Sequence, residues 1–202
     1  MARDPLAVTI RSLRLIRPRL EVYYPAVTGM TNLAVQQRIN NAIISLMYKM
    51  IADQGYYQNP QTEITGTYEL KTNQRGILSL NLIIYAFSGG AHGLTVVKSI
   101  TTDLATGRIY QLQDLFKPGV DWSKTLADII RKQIAARDIP LLVDYPGITK
   151  NQDFYIGDKA LVIYYQLYEL AAYVYGILYF PISVYEIANI INEDGPLGKM
   201  MY

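Results

Sequence analysis

The sequence predicts an α+β fold: an antiparallel β-sheet, largely a meander, with about three helices packed on one face. Three observations carry this. Strand-like runs from Thr62 onward are joined by short turn signals. Two long stretches place apolar residues at helical spacing. The strands come in runs punctuated by few helices, rather than alternating with them.

In chain order, Val8 to Leu15 alternates apolar and polar residues with one slip in period, which predicts a strand containing a bulge. Leu20 to Pro25 predicts a second strand, ended by its proline, and Thr28-Gly29 a turn. Asn32 to Gln54 predicts the clearest helix. Thr31 or Asn32 can cap it, and Val35, Ile39, Ile43, Leu46, Met47, Met50 and Ile51 share one stripe. Gly55 is a natural stop. Thr62–Thr72 and Ile77–Phe87 predict paired strands around an Asn73-to-Gly76 turn.

The run Tyr85-Ala-Phe-Ser-Gly-Gly-Ala-His-Gly93 predicts a tight reversal, because Gly89 and Gly90 tolerate positive φ. It leads into a strand over Leu94–Thr102. A further turn at Asp103–Gly107 sends the chain back through Arg108–Leu112 as a fourth strand of the meander. Asp121 is expected to cap a helix over Trp122–Ala136, with Trp122, Leu126, Ile129, Ile130 and Ile134 on or near one face and Ile139-Pro140 ending it. Asp153–Ile156 and Ala160–Leu167 predict a hairpin across Gly157-Asp158, and Ile177–Phe180 another strand. Ser183 opens a last helix with capping-box spacing to Glu186, closed by Gly195-Pro196. A loose tail follows to Tyr202.

Composition bounds the function. At 202 residues with 50% hydrophobic and 18% charged residues, the chain can bury a sizeable core and is not a disordered segment. A formal net charge of +2 does not call for nucleic acid. Arg11, Arg14, Arg17 and Arg19 cluster, and either a solvated strand face or an anionic partner, such as a wall polymer or membrane surface, accounts for them. With no cysteine and one histidine, disulfides, thiol chemistry and a structural zinc site are not expected. Tyrosine is abundant, 18 residues against 4 Phe and 1 Trp, which suits half-buried strands and binding surfaces alike. The first five residues do not read as a signal sequence, and no stretch reads as a transmembrane helix.

No catalytic constellation emerges. Ser88 and His92 lie four apart across a turn with Asp103 downstream, but nothing resembles a nucleophile elbow. Asp103, Asp114, Asp153 and Glu169 could serve a glycosidase, yet four acids among 17 are no signal. Gly89-Gly90 joins two strands and meets no helix N-terminus, so it is not a phosphate loop. The expectation is a protein without catalytic residues, metal or cofactor.

The motifs Gly89-Gly-Ala-His-Gly93, Thr102-Asp-Leu-Ala-Thr-Gly107 and Leu112-Gln-Asp-Leu-Phe116 resemble the RsiV-like C-terminal domain family. Tyr168-Glu-Leu-Ala-Ala-Tyr173 with Gly176, then Phe180-Pro-Ile-Ser, is similar to that family's closing segment, with Ala172 where the family often has proline. Tyr24-Pro-Ala-Val-Thr-Gly-Met and Gln37-Arg-Ile-Asn40 resemble the partner domain that precedes it in RsiV-type anti-sigma factors and PdaC-type deacetylases. The resemblance implies a PdaC/RsiV-type domain over residues 8–92 and an RsiV-like domain over 93–192, the two sharing one core. It also implies an extracytoplasmic, non-enzymatic binding or sensing domain of a bacterial envelope protein, with lysozyme or peptidoglycan as partner. Any membrane attachment is expected through a tether outside this chain. The alternatives are a wall-glycan hydrolase or an accessory domain of a polysaccharide deacetylase. The candidate ligand-binding residues are Ser88, Gly89, Gly90, His92, Tyr168, Glu169 and Tyr173.

Overall fold

The computed structural model describes residues 7–202, so the reading of the first five residues falls outside it. The chain forms two compact units, Met1–Ile109 and Tyr110–Tyr202. Each carries one sheet, and the α+β class holds.

In the first unit, strands β1 (Thr9–Arg17) and β2 (Leu20–Thr28) lead to helix α1 (Leu33–Asp53). Strands β3 (Glu63–Gln74), β4 (Ile77–Phe87) and β5 (Leu94–Asp103) follow, and the sheet order is β1-β2-β3-β4-β5. Helix α1 forms where its stripe predicts. The Asn32 side chain accepts from the Val35 N–H at 3.2 Å, and Val35, Ile39, Ile43, Met47, Met50 and Ile51 are buried. They pack on β4, whose residues Ile77 to Leu82 are all buried.

The sheet is not wholly antiparallel. β2 and β3 run parallel over Leu20–Val22 against Ile64–Gly66, because α1 carries the chain back to the end where β2 began. Gly66 permits this approach: a Cβ there would lie 2.9 Å from the Val22 side chain. Beyond Val22, β2 has a strand neighbour on one side only. Pro25 therefore does not end the strand but sits inside it, opposite Ser12, where its missing N–H breaks no ladder. The expected bulge in β1 is also absent. The β1–β2 register runs unbroken from Thr9↔Thr28 to Arg17↔Leu20. The slip in period is real, but both strands change their buried face together, as a strongly twisted hairpin does. A register shift does occur in β3, between Leu70 and Thr72.

The turn after β3 is narrower than its sequence signal. Arg75 (φ 53°) and Gly76 (φ 74°) form a two-residue loop with both residues left-handed. Asn73 stays in the strand, and its amide clamps Val8 through both backbone groups, at 3.1 and 2.8 Å. The expected fourth meander strand over Arg108–Leu112 is not formed; only an isolated bridge, Thr102↔Ile109, is present. The Asp103 carboxylate binds the N–H groups of Ala105 and Thr106 and the Thr106 hydroxyl, which closes a tight loop. A 3₁₀ turn over Leu112–Leu115 then replaces further extension.

The second unit holds helix α2 (Trp122–Ala136) and an antiparallel sheet in the order β6 (Phe154–Gly157), β7 (Ala160–Tyr165), β8 (Leu178–Ser183). Asp121 caps α2 through the Lys124 N–H at 3.1 Å. The helix ends as a Schellman motif: Asp138 (φ 47°) donates to Ala135, and the buried Ile139 donates to Ile134. Its buried face is Leu126, Ala127, Ile130 and Ile134, with Trp122 and Ile129 half-buried.

The expected last helix from Ser183 does not form. Residues 184–190 make successive turns, and the helix present is α3, Pro196–Lys199. Ser183 is still paired in β8, and its hydroxyl accepts from the Tyr185 N–H. The Ile190 carbonyl, which a continuing helix needs, instead accepts from the Lys117 N–H, and Asn192 donates to Leu115. Nor is the tail loose. Leu197 and Met200 are fully buried, and the Tyr185 hydroxyl donates to the Met201 carbonyl.

One test follows from the free side of β2. The Asn40 amide accepts from the Val27 N–H at 2.8 Å and donates to the Val27 carbonyl at 2.9 Å, and Val27 is fully buried. Asn40→Ala strands both backbone groups, so urea unfolding should show a loss of about 1–3 kcal/mol. An unchanged midpoint would show that the clamp contributes nothing.

Candidate functional site

The predicted site residues fall into two groups, one in each unit. In the first unit, β4 runs into Ser88, and Gly89 (φ 93°) and Gly90 (φ 99°) make the reversal. The Ser88 hydroxyl pairs with the Thr62 hydroxyl at 2.8 Å. Gly93 is fixed by close approach, since a Cβ there would overlap the Ala86 carbonyl and the Tyr85 ring. Its N–H donates to the Tyr85 hydroxyl at 3.2 Å. His92 is exposed, with Nδ1 3.0 Å from the Gly93 carbonyl. The carbonyl can only accept, so Nδ1 carries a proton in that contact. The local bonds of Ser88 and His92 therefore serve the turn.

This turn closes one end of a cleft of about 530 Å³ between α1 and β5. Leu46, Met50, Ala86 and Val96 give it an apolar lining. Ser88, Gly89 and His92 contribute to its wall, while Gly90 lies on the open side of the loop. Lys49 and Asp53 form an ion pair of 2.7 Å among the lining residues. Gln54 donates to the Ile84 carbonyl at 3.1 Å, and its Oε1 is buried without a protein partner. Size, apolar lining and sparse polar groups are those of a small-ligand cleft. Among the described residues no three His, Cys, Asp or Glu side chains gather as a metal site, and no helix is long and apolar enough to cross a membrane.

In the second unit, Tyr168, Glu169 and Tyr173 are brought together. Residues 166–169 form a reverse turn closed by Glu169 N–H to Gln166 carbonyl, 3.1 Å. The Glu169 carboxylate reaches back to the Gln166 N–H at 2.7 Å. Glu169 is thus a brace of the turn. Tyr168 takes its third position at φ 65°, a conformation that a bulky residue rarely adopts. The residue stays 50% exposed, and its ring lies 5.7 Å from that of Tyr173.

Four further exposed residues extend this surface and were not singled out in the sequence. Val174 and Tyr175 follow Tyr173 directly, and Leu142 and Val143 lie on the neighbouring loop. The Leu141↔Ala171 bridge and the bond from Leu142 N–H to the Leu170 carbonyl tie the two loops together. The available signal was Leu141-Leu-Val143 directly after Pro140, an apolar run outside any predicted element. From below, Tyr165 anchors the loop. Its hydroxyl donates to the Gly147 carbonyl at 2.9 Å and accepts from the Tyr145 hydroxyl at 3.0 Å.

Two domain-family models each match part of the chain. Residues 113–185 match the family described as Protein of unknown function (DUF3298). Residues 18–95 match the family described as Deacetylase PdaC. Two crystal structures of DUF3298-family proteins share the fold. One, from Bacteroides fragilis, is 14% identical with a TM-score of 0.74 over 98% of this chain and 99% of its own. The other, from Pseudomonas aeruginosa, is 17% identical with a TM-score of 0.63 over 94% and 95%. No curated protein matches the sequence significantly.

Two measurements check this geometry. Ala172 has φ −61° and ψ 154°, the backbone that proline imposes. Ala172→Pro should therefore fold normally and gain about 0.4–1 kcal/mol by restricting the unfolded chain; a destabilised variant would contradict the loop geometry. Burial raises the Tyr165 hydroxyl well above its ordinary value of 10.0, with the Tyr145 hydroxyl adding to the rise, and burial also raises Tyr145. Below pH about 10 both folded and unfolded chains keep these protons, so stability is complete. Above it the unfolded chain releases protons that the folded one retains, and unfolding gains. The urea midpoint should fall between pH about 9 and 11, and fall less steeply in Tyr165→Phe. Identical slopes would count against the buried pair.

Proposed function

We propose that this chain is a non-enzymatic, extracytoplasmic binding or sensing module of a bacterial envelope protein. It takes lysozyme or cell-wall material on the tyrosine surface of its second unit. One observation carries the reading: a tyrosine held in a left-handed turn, braced by Glu169, with its ring kept in solvent beside a second tyrosine and next to exposed Val174 and Tyr175. Exposed, pre-positioned tyrosines surrounded by apolar residues suit a protein cleft or a sugar face, because each ring offers apolar area and a polar tip at small entropic cost. Lysozyme enters through the likeness of Tyr168–Tyr173 and the Gly-Gly-Ala-His motif to RsiV-like proteins. DUF3298 and PdaC-type domains together are consistent with an accessory role.

Tyr168→Gly separates function from folding. Glycine relieves the left-handed turn, so thermal stability should hold or rise. Calorimetric binding to lysozyme or to muropeptides should weaken by about 2 kcal/mol or more, roughly 30-fold in Kd. Tyr173→Ala should weaken it in the same direction. If the unaltered chain binds neither ligand, or both variants bind as well as it does, the reading fails.

The PdaC-type match over residues 18–95 favours a second reading, an accessory domain of a polysaccharide deacetylase. It calls for wall-glycan binding that survives Tyr168→Gly.

A further inference from the structure

β1 is an edge strand of the first sheet; Val8, just before it, is held by the Asn73 amide of β3, but from Thr9 to Arg17 the outer side has no strand neighbour among the described residues. Its turn to β2 is a two-residue loop, Pro18-Arg19, with Arg17 opposite Leu20. Arg17 and Leu20 are then a hydrogen-bonded pair, and the antiparallel ladder alternates from there. Thr9, Arg11, Leu13, Leu15 and Arg17 bond inward to β2. Ile10, Ser12, Arg14 and Ile16 turn their N–H and C=O groups outward. Pro25 opposite Ser12 fits this phase, since that position needs no ladder bond. The Arg17 guanidinium meets the outward Ile16 carbonyl at 2.8 Å, as the phase requires. The outward row spans about 20 Å, the length of an ordinary strand.

The side chains along this row are of one sign. Arg11, Arg14 and Arg17 are all exposed, and Ile16 is 52% exposed. Arg14 is already engaged, by Glu21 at 2.8 Å and over the Tyr23 ring. Arg11 and Arg17 lie six residues apart, hence on one side of the strand. Charges on an edge ordinarily keep it from pairing with copies of itself. Here they do so: an antiparallel β1 from a second copy, centred on Arg14, would set Arg11 against Arg17 twice and Arg14 against Arg14. The same row is complementary to an acidic strand, and a single sign makes it selective where a mixed edge would not be.

We propose that β1 is a docking edge for an extended acidic segment of another protein, which adds to the sheet as a sixth strand. Backbone bonds to Ile10, Ser12, Arg14 and Ile16 hold the segment. Two carboxylates six residues apart meet Arg11 and Arg17, and an apolar residue covers Ile16. On docking, the partner N–H replaces the Arg17 guanidinium at the Ile16 carbonyl, and the guanidinium is released to a carboxylate.

The test uses the full chain and an acetylated nine-residue peptide that alternates valine with polar residues, glutamate at its second and eighth positions and threonine between. Hydrogen exchange read by NMR should show the Ile10, Ser12, Arg14 and Ile16 amides protected at least tenfold, with the amides of Thr9, Arg11 and Leu13 unchanged. Affinity should fall at least tenfold when lysines replace the peptide glutamates, and equally in the Arg11→Glu, Arg17→Glu double variant. If that variant is less stable than the unaltered chain, the Arg11→Gln, Arg17→Gln pair takes its place. Equal binding of the lysine peptide, binding without protection of the outward amides, or peptide-independent dimerisation through β1 would each overturn the proposal. So would inorganic polyphosphate competing as well as the peptide does, which would make the arginines a general polyanion patch.

Discussion

The three-residue parallel contact between β2 and β3 is the constraint on which the first unit depends. Helix α1 returns the chain to the start of β2, so β3 begins beside Leu20 and runs the same way. The two strands then part after Val22. The remainder of β2 is buried at Pro25 and Val27 without a second ladder, and its backbone groups must be satisfied some other way. Asn40 does this from the helix, with its amide in place of a strand. Asn73 does the same for Val8, ahead of β1. Two side-chain amides thus stand in for missing ladder bonds on opposite sides of one splayed hairpin. The same splay leaves β1 at the rim, paired along its length with β2 alone and held at its start by Asn73 of β3.

What the sequence revealed of this fold was local. α1 and α2 were legible because cap, stripe and stop lie within a few residues of one another: Asn32 with Val35, Asp121 with Lys124, Gly55 after the last turn. β4 was legible because a strand buried on both faces reads as a charge-free, largely apolar run, and its two polar interruptions, Ser79 and Asn81, are buried against Thr101 and Ser99 of β5. The misses were decided by residues outside the stretch being read. Arg108–Leu112 has strand-like residues, but Asp103 binds the loop before it and leaves a single bridge. Ser183 to Ile191 has a capping box and helical spacing at Ile187, Ile190 and Ile191, yet the Ile190 carbonyl is taken by Lys117, 73 positions earlier in the chain. Pro25 was read as a strand end, because nothing local shows that β2 lacks a second neighbour there.

The site was legible in the same uneven way. The glycine pair and His92 mark a turn on their own, and the structure puts Ser88, Gly89 and His92 on one cleft wall. The opposite wall, Lys49, Asp53 and Gln54, comes from the end of α1, 34 to 43 positions earlier, and nothing local in the sequence ties it to the turn. Tyr168, Glu169 and Tyr173 were legible through family likeness. The reason they cluster, a reverse turn braced by the Glu169 carboxylate, was not. Ala172 departs from the family in residue but not in backbone, since its φ of −61° is the angle a proline would fix.

The left-handed residues show where function and fold part company. Five non-glycine residues have positive φ among those described: Arg19, Arg75, Asp138, Lys159 and Tyr168. Four of them are accounted for by the fold. Arg75 and Gly76 make the doubly left-handed hairpin loop that strand twist favours, Arg19 and Lys159 take the second position of two-residue hairpin loops, and Asp138 ends α2. All four are polar and lie on short connections that any sequence of this architecture must make. Tyr168 differs on both counts. Its turn joins β7 to an irregular loop, where glycine or asparagine would serve with less strain. An aromatic ring there gives up backbone stability and remains half in solvent, so burial does not offset the loss. Strain that packing does not require is expected where a side chain must be presented rather than stored, and on that ground the tyrosine surface, more than the cleft beside His92, is the place to look for a macromolecular partner.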